Sequence, residues 1–261
     1  MHILEKIIRE KQKEVAFRKT QLPISQLEET PFFARECLSL SKQLLESPSG
    51  IIAEFKRKSP SESEINRSVE IEDVARGYEA AGASGMSVLT DSLFFGGDLT
   101  DLVAARQSAS LPLLRKDFMI DEYQLYEAKA HGADVILLIA AVLSAQKIVD
   151  LTSLARHLGM EVLLEVHNET ELKNSFTAGI QMLGVNNRNL KTFNVDIQTS
   201  IELAALAPEG VTLVSESGLK SPQDVITIRK AGYRGFLIGT HFMRHPDPGH
   251  TAGEFIKQLA V

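Results

Sequence analysis

The sequence holds a single cysteine, Cys37, and this scarcity removes several kinds of chemistry at once. One thiol cannot close an intramolecular disulfide, and it leaves no thiolate cluster for zinc or an iron–sulfur centre. A reducing cytoplasm is the expected home. Long apolar runs are also missing: nothing approaches the roughly 18 residues of a membrane span, and the start, M-H-I-L-E-K-I-I-R-E-K-Q-K-E, mixes charge into its apolar residues as a secretory leader does not. Cations are outnumbered, with 28 Lys and Arg against 34 Asp and Glu and a net charge of −6. That balance argues against a general nucleic-acid or membrane-binding surface, so any bound anion must be held by a local cationic patch.

What remains is the composition of an ordinary soluble globule, 44% hydrophobic and 24% charged, long enough to bury a full-sized core. Ile3, Leu4, Ile7, Ile8 and Val15, joined by Lys11, recur at helical spacing and predict an amphipathic helix over residues 2–20 that lies on something larger. Pro23 ends it, and a second helical stretch near Phe32 to Leu45 closes at Ser47-Pro48-Ser49-Gly50. A rhythm then begins in which a helical stretch ends on glycine and an apolar strand follows. The glycines are Gly82, Gly132, Gly159, Gly179, Gly210 and Gly232. The expected strands are Ile51–Lys56, Met86–Thr90, Leu111–Lys116, Val135–Ala140, Val162–Val166, Met182–Asn186, Val211–Glu216 and Phe236–Gly239. Eight such units fit a closed (β/α)8 barrel, with a doubly wound open sheet as the alternative. No Gly-x-Gly-x-x-Gly follows the first strand, which weakens the dinucleotide-binding version of that alternative. The whole chain, 1–261, reads as one barrel domain in which residues 1–47 are an N-terminal helical extension packed on the barrel.

Polar residues gather at the carboxyl ends of these strands, where barrel enzymes keep their chemistry. The first strand ends at Glu54 and Lys56, the third at Lys116, the fifth at Glu165, the sixth at Asn186 and Arg188, the seventh at Glu216 and Ser217. Any one could be a solvated terminus or a structural charge pair; five strands sharing the habit point to a mouth built for an anionic substrate and proton transfer. Crowding there is expected to move a lysine or glutamate pKa toward neutrality. After the last two strands, Val214-Ser-Glu-Ser-Gly-Leu219 and Leu237-Ile-Gly-Thr240 place Ser217, Gly218, Gly239 and Thr240 where barrels usually bind phosphate. His241 and His245 have the spacing of a metal pair but no accompanying carboxylate motif, so no metal is expected. Phe94-Phe95-Gly96-Gly97 reads either as a lid over an aromatic substrate or as a loop packed under a neighbouring helix.

The stretches I-I-A-E-F-K-R-K-S-P-S, S-V-L-T-D-S-L-F-F-G-G, L-R-K-D-F-M-I-D-E-Y-Q, A-D-V-I-L-L-I-A, L-L-E-V-H, G-V-N-N-R-N-L, V-S-E-S-G and L-I-G-T resemble, in order, the motifs of the indole-3-glycerol phosphate synthase family. The resemblance covers essentially the whole chain. It implies a cofactor-free carboxy-lyase of tryptophan biosynthesis, acting on 1-(2-carboxyphenylamino)-1-deoxyribulose 5-phosphate and working as a monomer. It implies Lys116 as general acid, assisted by Glu165 and Lys56, with Glu54, Asn186 and Glu216 lining the site. Ser59 and Arg188 would hold the substrate carboxylate, and Ser217, Gly218, Gly239 and Thr240 its phosphate. The loop Ser61-Glu62-Ser63-Glu64 and His241 depart from the family pattern. Two other readings are a catalytically silent phosphate-binding or scaffolding barrel, and phosphoribosylanthranilate isomerase. Against the second, Cys37 precedes the barrel when that chemistry would want a cysteine on the first strand.

Overall fold

Each apolar stretch becomes a parallel strand in the computed structural model, which describes residues 3–189 and 192–259. The strands are β1 (Ile51–Phe55), β2 (Gly85–Leu89), β3 (Leu113–Lys116), β4 (Val135–Ile139), β5 (Glu161–Val166), β6 (Met182–Asn186), β7 (Thr212–Glu216) and β8 (Gly235–Ile238). They pair in chain order, and β8 returns to β1 to close a (β/α)8 barrel in place of an open sheet. The third strand starts two residues later than expected. Pro112 has no N–H to give to a ladder, although its carbonyl accepts from Met86. The six glycines all take left-handed φ, between 75° and 102°, but only Gly82, Gly132, Gly159 and Gly232 close helices; Gly179 and Gly210 stand in separate turns beyond helices that end at Ser175 and Ala204.

Alternation along the strands separates two apolar layers. Ile52, Leu114, Val135, Leu137, Leu163, Met182, Val214 and Leu237 fill the barrel, whereas Ile51, Ala53 and Phe55 belong to the larger layer under the helices. On that pattern Glu54 and Lys116 point inward and Arg115 points outward. Arg115 is fully buried nonetheless, and its guanidinium donates to Thr90, to the Gln124 carbonyl, to Asp117 and to Glu127.

The N-terminal segment divides between the two ends of the barrel. Helix α1 (Ile3–Gln21) lies over the carboxyl ends of the strands, where Ile3, Leu4 and Ile7 line the central cavity. The expected first residue of this helix, His2, lies outside the described residues. Lys11, on the inner face of α1, is 1% exposed and pairs at 2.9 Å with each of Asp91, Asp117 and Glu14. Burial alone would lower its pKa, but the three carboxylates raise it, so the ammonium stays charged. Arg18 adds a 3.1 Å contact to Glu127, which also binds Arg115.

The expected helix from Phe32 to Leu45 is shorter, and a separate turn of helix precedes it: α2 (Ile24–Glu28) starts at Pro23, and α3 runs from Leu40 to Glu46. The intervening backbone is drawn to the barrel, where Asp134 accepts from Arg35 at 2.6 Å and from the Leu38 amide at 2.8 Å. Ser39 then caps α3 by accepting from the Lys42 amide. Leu40 and Leu44 insert into the barrel's interior layer and close its amino-terminal end.

Truncating either anchor tests this division. Leu44→Ala is expected to cost about 2–5 kcal/mol by opening a cavity in the plug. Lys11→Met is expected to cost about 3–5 kcal/mol by leaving buried carboxylates short of their cation. Urea denaturation should place both midpoints well below the parent; an unchanged midpoint for Lys11→Met would show that α1 is not pinned through this ammonium.

Candidate active site

The inward side chains at the strand ends meet around one ammonium. Lys116 at the end of β3 contacts Glu165 of β5 at 2.9 Å and Glu216 of β7 at 2.5 Å. Beside this trio, Lys56, just past β1, donates to Glu54 at 2.6 Å. Asn186 at the end of β6 donates to Glu165 at 3.2 Å and accepts from the Arg188 amide at 3.0 Å. All twelve residues expected at the site, Glu54, Lys56, Ser59, Lys116, Glu165, Asn186, Arg188, Glu216, Ser217, Gly218, Gly239 and Thr240, line a single cavity of about 580 Å³.

Carboxylates fit inside the barrel because glycines on adjoining strands leave space for them. A Cβ on Gly184 would lie 2.4 Å from a Glu216 oxygen, and one on Gly239 would lie 2.4 Å from a Glu54 oxygen. Glu216 is 1% exposed, and its Oε1 is buried without a hydrogen-bond partner among the described residues.

The two glutamates on Lys116 are not equivalent. Burial would raise both, but for Glu165 it is outweighed by Lys116 and His167, helped by the Asn186 amide, and its pKa is lowered. Burial prevails at Glu216, where Lys116 opposes it and the charges of Glu165 and Glu54 reinforce it, lifting the pKa to about 7. A shared ammonium cannot fully compensate two carboxylates, and the proton settles on the one with fewer donors. Lys116 itself loses affinity for its proton through burial and regains more from Glu165, Glu216 and Glu54, so its pKa is raised. Of the lysine or glutamate expected to move toward neutrality, it is the glutamate, Glu216, that does so, while Lys116 moves the other way.

Backbone geometry distinguishes the other side of the cavity. Ser217 and Gly218 both have positive φ, 66° and 82°, and the Asn187 amide fixes the first by donating to the Ser217 carbonyl at 3.0 Å. A non-glycine residue in that region is strained and has to be held by its surroundings. Asn187 also bonds Ser215 and Ser200 in a buried network that tracks β6 to β7. Gly239 precedes a short helix, Thr240–Met243, and His241 also lines the cavity. His241 and His245 stack edge to face, and no group of three possible metal ligands is found among the described residues.

Apolar walls complete the pocket. Phe95 reaches it from the short helix Ser92–Phe95, and its ring lies 6.1 Å from that of Phe118, so of the two phenylalanines in this stretch Phe95 lines the cavity. Arg188 has no carboxylate partner among the described residues, and its guanidinium rests on the Phe193 carbonyl at 3.3 Å. Leu190, in the same motif, lies outside the described residues. In the divergent loop Glu62 accepts from Arg244 at 3.0 Å, and its backbone exchanges hydrogen bonds with Ser59.

Sequence reading overlooked Lys11, Asp91, Asp117, Asn187 and His167 as supports of this mouth. Only a lysine on an otherwise apolar helix face hinted at the first.

Comparison with known proteins gives one consistent family. The model for "Indole-3-glycerol phosphate synthase" matches residues 4–256. An indole-3-glycerol phosphate synthase from Bacteroides thetaiotaomicron is 48% identical over 257 residues, covering 98% of each chain. One from Laribacter hongkongensis is 42% identical over 252 residues, covering 95% of this chain and 96% of the relative. Among solved structures, thiamine phosphate pyrophosphorylase from Pyrococcus furiosus superposes with a TM-score of 0.61 at 14% identity, covering 83% of this chain and all of that one, a likeness of fold.

The glycine clearance yields a direct test. Gly184→Ala places a methyl against the Glu216 carboxylate and is expected to lower turnover by about tenfold or more, since a displacement of about 1 Å in a catalytic group can cost 10²-fold. Circular dichroism should remain that of the parent. Full activity in a folded Gly184→Ala variant would mean that Glu216 can move without consequence.

Proposed function

Because the chain belongs to the indole-3-glycerol phosphate synthase family, we propose that this cavity closes an indole ring, converting 1-(2-carboxyphenylamino)-1-deoxyribulose 5-phosphate to indole-3-glycerol phosphate with loss of carbon dioxide and water. The observation that carries the reading is the Lys116 ammonium, half-buried at the centre of the mouth and held charged by Glu165 and Glu216. As the ring carbon bearing the carboxylate attacks the ribulose carbonyl, negative charge grows on the carbonyl oxygen. Lys116 protonates that oxygen, and a charge-assisted contact inside a dry site is worth most at that moment.

Carbon dioxide then leaves, and dehydration requires an acid for the departing hydroxyl and a base for the remaining proton. Lys56, paired with Glu54, supplies a second ammonium at the rim. Glu165 in its ionised form suits the base. Glu216, with a pKa near operating pH and an unpaired oxygen, suits temporary custody of a proton. Asn186 orients Glu165.

Substrate binding follows from the remaining groups. Arg188, free of carboxylate partners among the described residues, and Ser59 face the anthranilate carboxylate, while Ser217, Gly218, Gly239 and Thr240 take the phosphate through backbone amides and hydroxyls. Phe95 and Phe118 give the aromatic ring an apolar wall. No helix among the described residues is long and apolar enough to cross a membrane. A cytoplasmic monomer, acting as one unit over residues 1–261, is the organisation we favour: α1 supplies cavity wall and α3 the plug of the same barrel.

Purified protein incubated with the carboxyphenylamino-deoxyribulose phosphate should develop indole fluorescence; a folded protein that stays silent would instead favour a scaffolding barrel. Lys116→Ala is expected to cut turnover by at least about 10²-fold while product affinity stays within about tenfold. Arg188→Ala should mainly raise KM. Normal turnover in Lys116→Ala, or an Arg188→Ala variant that binds normally but cannot turn over, would invalidate these roles.

A further inference from the structure

His167 follows the last residue of β5 and shares the inward row with Leu163 and Glu165, one step nearer the mouth. Its side chain is 10% exposed, and each ring nitrogen faces a carboxylate. Nδ1 lies 3.1 Å from Glu171 Oε2, and Nε2 lies 3.4 Å from Glu165 Oε1. Nε2 is buried and makes no aligned hydrogen bond to any described residue, so its approach to Glu165 is one of charge.

Glu171 is not free to turn away. It sits in the first turn of the helix Glu169–Ser175, where its Oε2 also accepts from the His167 amide at 2.8 Å and its Oε1 from the Asn168 side chain at 2.8 Å. The N-terminus of that helix therefore fixes one carboxylate, and that carboxylate fixes the ring.

A neutral imidazole has one donor nitrogen and one acceptor nitrogen. Placed between two ionised carboxylates, either neutral tautomer would turn a lone pair toward an anion. Only the imidazolium presents N–H to both sides. We propose that His167 is a positioning residue of the ring-closing reaction, a bridging imidazolium between Glu171 and Glu165 that keeps Glu165 ionised and aimed at Lys116. This rests on the reading of Glu165 as the proton acceptor.

The charged groups around the ring agree with that state. Glu165 from β5, Glu171 from the following helix and, farther off, Glu216 from β7 face it; Lys116 from β3 stands beyond Glu165. Burial would lower the His167 pKa, but Glu171, Glu165 and Glu216 together raise it. The imidazolium also accounts for the inequality of the two glutamates on Lys116. Glu165 accepts from Lys116 and Asn186 and has the His167 ring 3.4 Å away, whereas Glu216 has Lys116 alone, so the available proton is left to Glu216.

The sign of the pH effect follows. Removing a cation beside Glu165 raises the pH at which that carboxylate takes up a proton, so loss of the base form on acidification should begin earlier. In His167→Gln the acidic limb of kcat/KM is expected to move up by about 1 pH unit, with KM on the plateau changed less than about threefold. Glu171→Gln should produce a smaller shift in the same direction, and it serves if His167→Gln does not fold.

A readout independent of turnover comes from histidine-ring ¹⁵N NMR of the full-length protein, with the His167 signal identified as the one altered in either folded variant. Both ring nitrogens of His167 should still carry protons at pH 7, and in Glu171→Gln its midpoint should fall. A neutral His167 ring at pH 7, or an unmoved acidic limb in an active variant, would overturn the proposal. Absence of ring closure in the parent protein would instead remove the functional reading, and the NMR titration would still report on the bridge.

Discussion

An ammonium drawn largely out of water into a barrel mouth is costly unless its compensation is built in, and at Lys116, 13% exposed, that compensation organises the mouth. Removing a charged pair from water carries a penalty of several kcal/mol per ion, which only close, well-satisfied contacts offset. Glu165 and Glu216 supply the contacts, Gly184 leaves the space that Glu216 occupies, Asn186 donates to Glu165, and His167 lies 3.4 Å from it. The strands are thus bound across the barrel mouth by charge as well as around its wall by ladder hydrogen bonds.

A second ammonium, this one buried, secures the first from outside. Successive residues at the end of β3 point to opposite faces, so Lys116 enters the barrel while Asp117 turns outward to Lys11. The end of β3 is gripped on both sides, and the outer grip belongs to α1, whose Ile3, Leu4 and Ile7 form part of the cavity wall. The N-terminal segment is structural at one end of the barrel, where Leu40 and Leu44 plug it, and takes part in shaping the pocket at the other.

How much of this could be read beforehand depended on the range of the interactions. The strands and four of the six glycines were legible because their signal is local: apolar runs of the right length and a left-handed position just past a helix, whereas Gly179 and Gly210 mark turns of their own. Eleven of the twelve mouth residues were legible because barrel topology brings strand ends together, whatever separates them in sequence, and Ser59 came from the family resemblance alone. Lys11 was not, since a lysine on a helix carries no sign of its partners about 80 and 106 residues later, Asp91 and Asp117. Arg115 hid in the same way. The span from Phe32 to Ser39 looked helical by pattern, but Asp134 captured its backbone and side chains. The direction of the Lys116 pKa also needed coordinates, because crowding by cations and crowding by carboxylates have opposite effects.

The central claim is that one ammonium divides two neighbouring glutamates into an ionised group and a proton carrier. Carboxyl ¹³C NMR of protein labelled at glutamate, followed from acid to alkaline pH with Glu165→Gln and Glu216→Gln used for assignment, measures this division directly. The account predicts that Glu216 titrates near pH 7, as burial beside Glu165 requires, while Glu165 remains ionised well below the usual carboxylate range. Two signals titrating together in the ordinary glutamate range, or Glu165 as the group that holds its proton at neutral pH, would contradict it.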